Sequence, residues 1–179
     1  LFWCVAVAAQ TRHFIDPWTD LTHSLRNAPL SETERADIYR VVDETAHDSF
    51  PESERAKERD TVLSAPVADV MVTAKGPAQV LVRSPELFCG AANCTLWLFL
   101  RESGHLRQIL ETSGTGLEIR NVTSHGFHDL VAGSHMSAFE QDYTLYRWDG
   151  RKYGPIDSYA CRFNRESADR PLSDVRCRP

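Results

Sequence analysis

The chain is 179 residues long, 42% hydrophobic and 25% charged, with five cysteines and a formal net charge of −5. A chain of this size can bury the core of one domain. Its mild acidity, with no basic stripe interleaved with aromatics, argues against nucleic acid as a partner, and no stretch approaches the roughly 20 apolar residues that a membrane helix needs.

The chain opens on LFWCVAVAAQ, apolar up to Gln10. The small residues of Ala6-Val7-Ala8 and Val7-Ala8-Ala9 match the end of a secretory signal, cut after Ala8 or Ala9, without the basic start of one. Phe2 and Trp3 precede Cys4 where a lipoprotein would carry small residues. Residues 1–9 are therefore expected to be the remnant of a signal. Residues 10–179 are expected to form a single α+β domain, soluble, and periplasmic or secreted.

Residues 10–60 read as mainly helical. Asp16 before Pro17 predicts a helix start, with Trp18, Leu21, Thr22 and Leu25 on one face and a stop at Asn27-Ala28-Pro29. Ser31 and Glu34 form a capping box ahead of Ile38, Val41, Val42 and Thr45 at helical spacing, and Pro51 lies just past the end. Phe50 to Asp60 is charged without an apolar period, which fits a frayed helical extension or an exposed loop. Between Ser31 and Asp60 acids outnumber bases ten to five, the whole net charge of the chain. Such a run is expected to be a solvated helix face.

From Thr61 to about residue 165 the period becomes that of strands. VADVMVTA, AQVLVRS, TLWLFLR, LRQILET, GLEIRNV, HDLVAGS, YTLYRWD and KYGPIDSYACRF are separated by turn signals such as Lys75-Gly76-Pro77, Glu102-Ser103-Gly104 and Ser113-Gly114. Their spacing predicts a meandering antiparallel sheet on which the N-terminal helices pack. The clearest predicted hairpin turns at Asp149-Gly150, a pair suited to a type I′ turn. Tyr146, Trp148 and Tyr153 would crowd that hairpin as core or cross-strand packing, with an exposed aromatic platform as the alternative. Residues 166–179 read as an irregular tail.

Without Cys4, the cysteines are Cys89, Cys94, Cys161 and Cys177, an even number that suits an oxidising compartment. Three pairings are open; proximity favours Cys89 with Cys94 and Cys161 with Cys177. Four residues separate Cys89 from Cys94, where a thioredoxin-type motif has two, and a strand follows in place of a helix, so the pair does not read as a redox centre. A four-thiolate zinc site would want a tighter second pair.

The order of Cys89-Gly90-Ala91 and Cys94 before an aromatic strand, then Gly126-Phe127-His128-Asp129-Leu130, then YRWDGRKY from Tyr146 to Tyr153, resembles that of uncharacterised exported bacterial β-rich domains. The resemblance covers roughly Phe88 to Tyr153; it implies an exported β-rich character and carries over no catalytic residue. The last two motifs are also similar to integrin-type propeller repeats. No Asp-rich calcium loop precedes Asp129, however, and about 100 residues of sheet cannot supply four or more blades.

His125, His128 and Asp129, with His135 nearby, carry the only residue types in a cluster that suits a transition metal or acid–base work. On a strand His128 and Asp129 point to opposite faces, and Gly126 places His125 in a turn, so they do not converge by default. No serine lies in a Gly-x-Ser-x-Gly elbow. Gly114-Thr115-Gly116 lacks the further glycine and helix of a phosphate loop, and no cofactor is expected. Asn93-Cys94-Thr95 and Asn121-Val122-Thr123 match the N-glycosylation pattern.

Two functions follow. The first is an exported non-enzymatic binding or inhibitor-type module acting on a protein, glycan or envelope component. The alternative is a metal-assisted hydrolase centred on His125, His128 and Asp129. For the first, the candidate contact element is Gly90, Ala91, Ala92 and Asn93, closed by Cys89 and Cys94 and so cheap to order. Thr95, Trp97 and Phe99 would form an aromatic face supporting it, while Leu96, Leu98 and Leu100 pack inward. A plain staple at the start of the strand is the competing role for the same loop.

Overall fold

The computed structural model describes residues 13–46, 49–90, 93–162 and 176–178; the signal-like run of residues 1–9 lies outside them. Among these are two α-helices, α1 (Glu32–Ala46) and α2 (Arg55–Leu63). The strands are β1 (His13–Ile15), β2 (His23–Ser24), β3 (Pro66–Val70), β4 (Gln79–Arg83), β5 (Cys94–Glu102), β6 (His105–Gly114), β7 (Gly116–Ser124), β8 (Phe127–Ser137), β9 (Glu140–Trp148), β10 (Tyr153–Arg162) and β11 (Arg176–Arg178). They pair antiparallel in two sheets, one ordered β2-β3-β4-β5-β6 and the other β1-β7-β8-β9-β10-β11.

The five-stranded sheet is buried on both faces. Leu81, Leu96 and Leu98 join Leu117, Ile119, Leu130, Trp148 and Tyr153 in a core between the sheets. Val80, Val82, Trp97 and Phe99 point the other way and meet Ile38, Val42 and Ala46 of α1 and Val62 of α2. Helices, one sheet and a second sheet thus form three layers around two cores, each sheet burying the face its alternation makes apolar. No helix among the described residues is long and apolar enough to cross a membrane.

The capping box at the start of α1 forms as its residues predict: Glu34 N–H donates to Ser31 Oγ at 3.1 Å and Ser31 N–H to Glu34 Oε2 at 2.9 Å. The acidic segment is tied to the sheet as well as solvated. Arg101 of β5 bonds Glu34 at 3.0 Å and Asp69 of β3 at 2.8 Å, and Asp37 accepts the Leu106 N–H at 2.8 Å.

Four expectations need correcting. The helix predicted from Asp16 is absent: after β1 the chain makes a turn and then enters β2. Asp16 does act as a local cap, its Oδ1 accepting Trp18 N–H at 2.8 Å. The run does not continue as a helix because Leu21 is buried between the sheets while Leu25 is buried under the helices; one helix face cannot serve both cores. Nor is there one meandering sheet. It divides at Thr115, where the chain passes from β6 to β7 and Gly114 lies against β8 so closely that a Cβ there would stand 2.6 Å from the Gly133 carbonyl oxygen. The tail expected to be irregular contains β11, paired with β10.

The hairpin at Asp149 is also wider than a two-residue turn. Trp148 pairs with Tyr153, leaving the four residues Asp149–Lys152 in the loop. There Asp149 Oδ1 accepts the N–H groups of Arg151 and Lys152 at 2.7 and 2.8 Å. Positive φ at two successive turn residues, the mark of type I′, occurs instead at Ser103-Gly104 and His125-Gly126.

Candidate functional site

Cys89 is bonded to Cys94, and Cys161 to Cys177. The second pair joins residues directly opposite each other on β10 and β11. The first closes the connection between β4 and β5, after a 3-10 turn at Glu86–Phe88. Gly90 N–H donates to Asn93 C=O at 2.8 Å within the loop; Ala91 and Ala92 lie outside the described residues.

Asn93 is held by a two-way clamp to the other sheet. Its Nδ2 donates to the His135 carbonyl at 2.8 Å and its Oδ1 accepts the His135 N–H at 2.7 Å. β8, which carries His135, belongs to the six-stranded sheet, while the loop leads into the five-stranded one. One side chain therefore fastens the stapled loop across both sheets. Ser84, fully buried, completes the seat: its Oγ accepts Thr95 N–H at 3.2 Å and lies 3.6 Å from Cys89 Sγ. The exposed apolar residue beside the loop is Leu87, 65% accessible.

Trp97 does not join this surface. The alternation on β5 is the predicted one, with leucines facing the inter-sheet core, but Trp97 and Phe99 are fully buried beneath the helices. A sequence signal for this exists: Leu96 to Leu100 is apolar without interruption, the pattern of a strand covered on both faces.

The residues of the alternative metal site each have a different employment. His125 sits exposed in the β7–β8 turn at φ 50°, its Nδ1 3.1 Å from Ser124 Oγ. His128 Nδ1 is 2.7 Å from the Arg120 carbonyl, so it donates there. Asp129, 2% exposed, receives Arg147 through Nη2 at 2.7 Å and Nε at 3.2 Å. Among the described residues no group of three or more His, Cys, Asp or Glu side chains is placed to hold a metal ion. The structure does not bring these residues together.

The aromatics of the β9–β10 hairpin are core, in keeping with the first of their two expected roles. Trp148 stacks on Phe127 with ring centroids 4.1 Å apart, and Tyr153 meets both edge-on. Tyr153 donates its hydroxyl to the His128 carbonyl at 2.8 Å. Burial, with the Asp129 charge added, pushes its phenol well above the ordinary value.

A feature that sequence reading missed is Arg83, at the end of β4 and just before the stapled loop. The ring of Trp18 lies 3.7 Å from its guanidinium carbon. Nothing local in AQVLVRS announces it, since the partner comes from a turn 65 residues earlier in the chain.

No protein-family model matches the chain, and neither the curated proteins nor the solved structures contain a significant match to it.

Proposed function

We propose that the chain is an exported, non-enzymatic binding or inhibitor-type module acting on a protein, glycan or envelope component through the sandwich end that bears the Cys89–Cys94 loop. The observation that carries this reading is the Asn93–His135 clamp, which fixes Asn93 at the end of the disulfide-closed connection before any partner arrives. A contact residue already fixed in this way loses little entropy on binding. Two disulfides favour an oxidising compartment, periplasmic or secreted, and the resemblance to exported β-rich domains points the same way. The groups with the greatest chemical reach in the HGFHD segment are engaged in structural bonds, which favours binding over hydrolysis.

Capture from an envelope extract, read by mass spectrometry, tests the proposal when paired with two variants. Leu87→Arg alters exposed surface and is expected to leave melting within about 0.5 kcal/mol of wild type while weakening capture at least tenfold. Asn93→Ala frees the loop and should weaken capture with a modest loss of stability. Capture equal in wild type and both variants would remove the loop from the binding surface. Metal-dependent hydrolysis lost in His128→Ala would replace the proposal with the hydrolase reading.

A further inference from the structure

Arg83 holds a buried charge that the surrounding fold leaves short of partners. Leu81 faces the inter-sheet core while Val80 and Val82 face the helices, so alternation places Arg83 on the inter-sheet side. The residue is 7% exposed, and its Nε and Nη1 are buried with no hydrogen-bond acceptor among the described residues. Burial lowers its affinity for the proton; Asp16 and Glu86 oppose that through space. The contrast with other charges is plain: Asp129 has Arg147, and Arg101 has both Glu34 and Asp69. Trp18, 46% exposed, stacks on the guanidinium and offsets part of the desolvation. A ring over the face cannot serve N–H donors that point outward in the plane. A cation left in this state costs stability, and stability given up at one place is characteristic of binding sites.

We propose that Arg83 is the anchor of a carboxylate-binding site for which the Trp18 side chain is the cover. A carboxylate lies in the guanidinium plane and accepts two parallel N–H bonds from one edge, Nε with Nη2 or Nη1 with Nη2, each of which includes one of the two buried donors, so it fits alongside a ring stacked on the face. A sulfate or phosphate projects oxygens out of that plane toward the indole, and its additional charge would meet Asp16 and Glu86. The cover can turn without its backbone. The turn is held by Asp16 N–H to Asp20 Oδ2 at 2.8 Å and Asp20 N–H to Asp16 C=O at 2.8 Å, while the half-exposed ring needs only a rotamer change to move aside as a ligand enters. The site involves neither Asn93 nor Leu87, so it stands or falls apart from the loop surface.

The test is a titration of the intact protein with sodium acetate at constant ionic strength, with sodium chloride and sodium sulfate as controls. It is followed by tryptophan fluorescence and by the Nε–H resonance of Arg83. Saturation at about millimolar acetate is expected, the range of one charge-assisted contact pair. Arg83→Lys should weaken it about tenfold, because an ammonium cannot offer the planar fork. Trp18→Ala should still bind acetate, since the ring lies over the guanidinium face and not across its in-plane donors. Arg83→Met should abolish saturation and melt above wild type, since it exchanges a poorly partnered charge for an apolar chain. Acetylglycine and glucuronate then separate a peptide terminus from an acidic sugar as the source of the carboxylate; the tighter of the two names it. Saturation that persists in Arg83→Met, its absence from both wild type and Trp18→Ala, an equal response to sulfate, or melting of Arg83→Met below wild type would each overturn the proposal.

Discussion

Asp129 and Arg147 illustrate how unequally a salt bridge can be shared. The carboxylate is 2% exposed, whereas the Arg147 side chain is 45% accessible. Removing the arginine strands a charge in the interior; removing the acid leaves an arginine that water can serve. Arg147→Met is therefore expected to cost distinctly more stability than Asp129→Asn. The double variant should fall short of the sum, as a urea-denaturation cycle can read. Trp97 is a simpler case. Its full burial in the helix-side core predicts a loss of about 3 to 5 kcal/mol for Trp97→Ala, seen as a lowered denaturation midpoint, whereas a binding-surface residue would lose affinity and keep its stability.

Helix α1 is anchored at its start by a local motif and along its length by the sheet. Ser31 N–H first, and Arg101 with it, holds the Glu34 carboxyl below its ordinary value of 4.5. A carboxylate depressed in this way contributes stability that is fully present above its unfolded pKa and is lost as pH falls through the folded value. Wild type should therefore lose more stability than Glu34→Gln between pH 7 and pH 3, measured by urea midpoints at both. Farther along the helix, Ile38 and Val42 are fully buried while Val41 is only partly covered. Val42→Asp should cost several kcal/mol by burying an unpaired charge, and Val41→Asp much less. Near-wild-type melting of Val42→Asp would show that α1 contributes little to holding the layers. At the junction of the sheets, Gly114→Ala has no room beside the Gly133 carbonyl, so it should destabilise where alanine at the exposed neighbour Ser113 would not.

At the scale of the whole molecule the two disulfides brace different things. Cys89–Cys94 secures the loop between two strands of the five-stranded sheet, and Cys161–Cys177 joins the last two strands of the other. Chain-entropy reasoning assigns about 2 kcal/mol to the shorter loop and about 3 kcal/mol to the longer one. Protein recovered from its native compartment should show none of these four thiols alkylated under denaturing, non-reducing conditions, with peptide maps linking each pair. Alkylation of both Cys89 and Cys94 would contradict the expected compartment.

Some of this was legible in the residues alone. The Ser31–Glu34 box, the turn at His125-Gly126, the alternation along β5 and the pairing of near cysteines all depend on groups a few residues apart, whose chemistry is complete without the rest of the chain. The α1 start and most strands follow from the same local rules. What the residues could not supply was where each face would be spent. Leu21 and Leu25 look like one helix face until two cores claim them separately. Trp97 and Phe99 look like a platform until two helices cover them. Asp129 looks like a ligand until Arg147 of the neighbouring strand reaches it, and Arg83 looks like an ordinary strand arginine until Trp18 closes over it. Each of these outcomes is fixed by contacts between residues far apart in sequence, and only the packing of three layers brings them within reach.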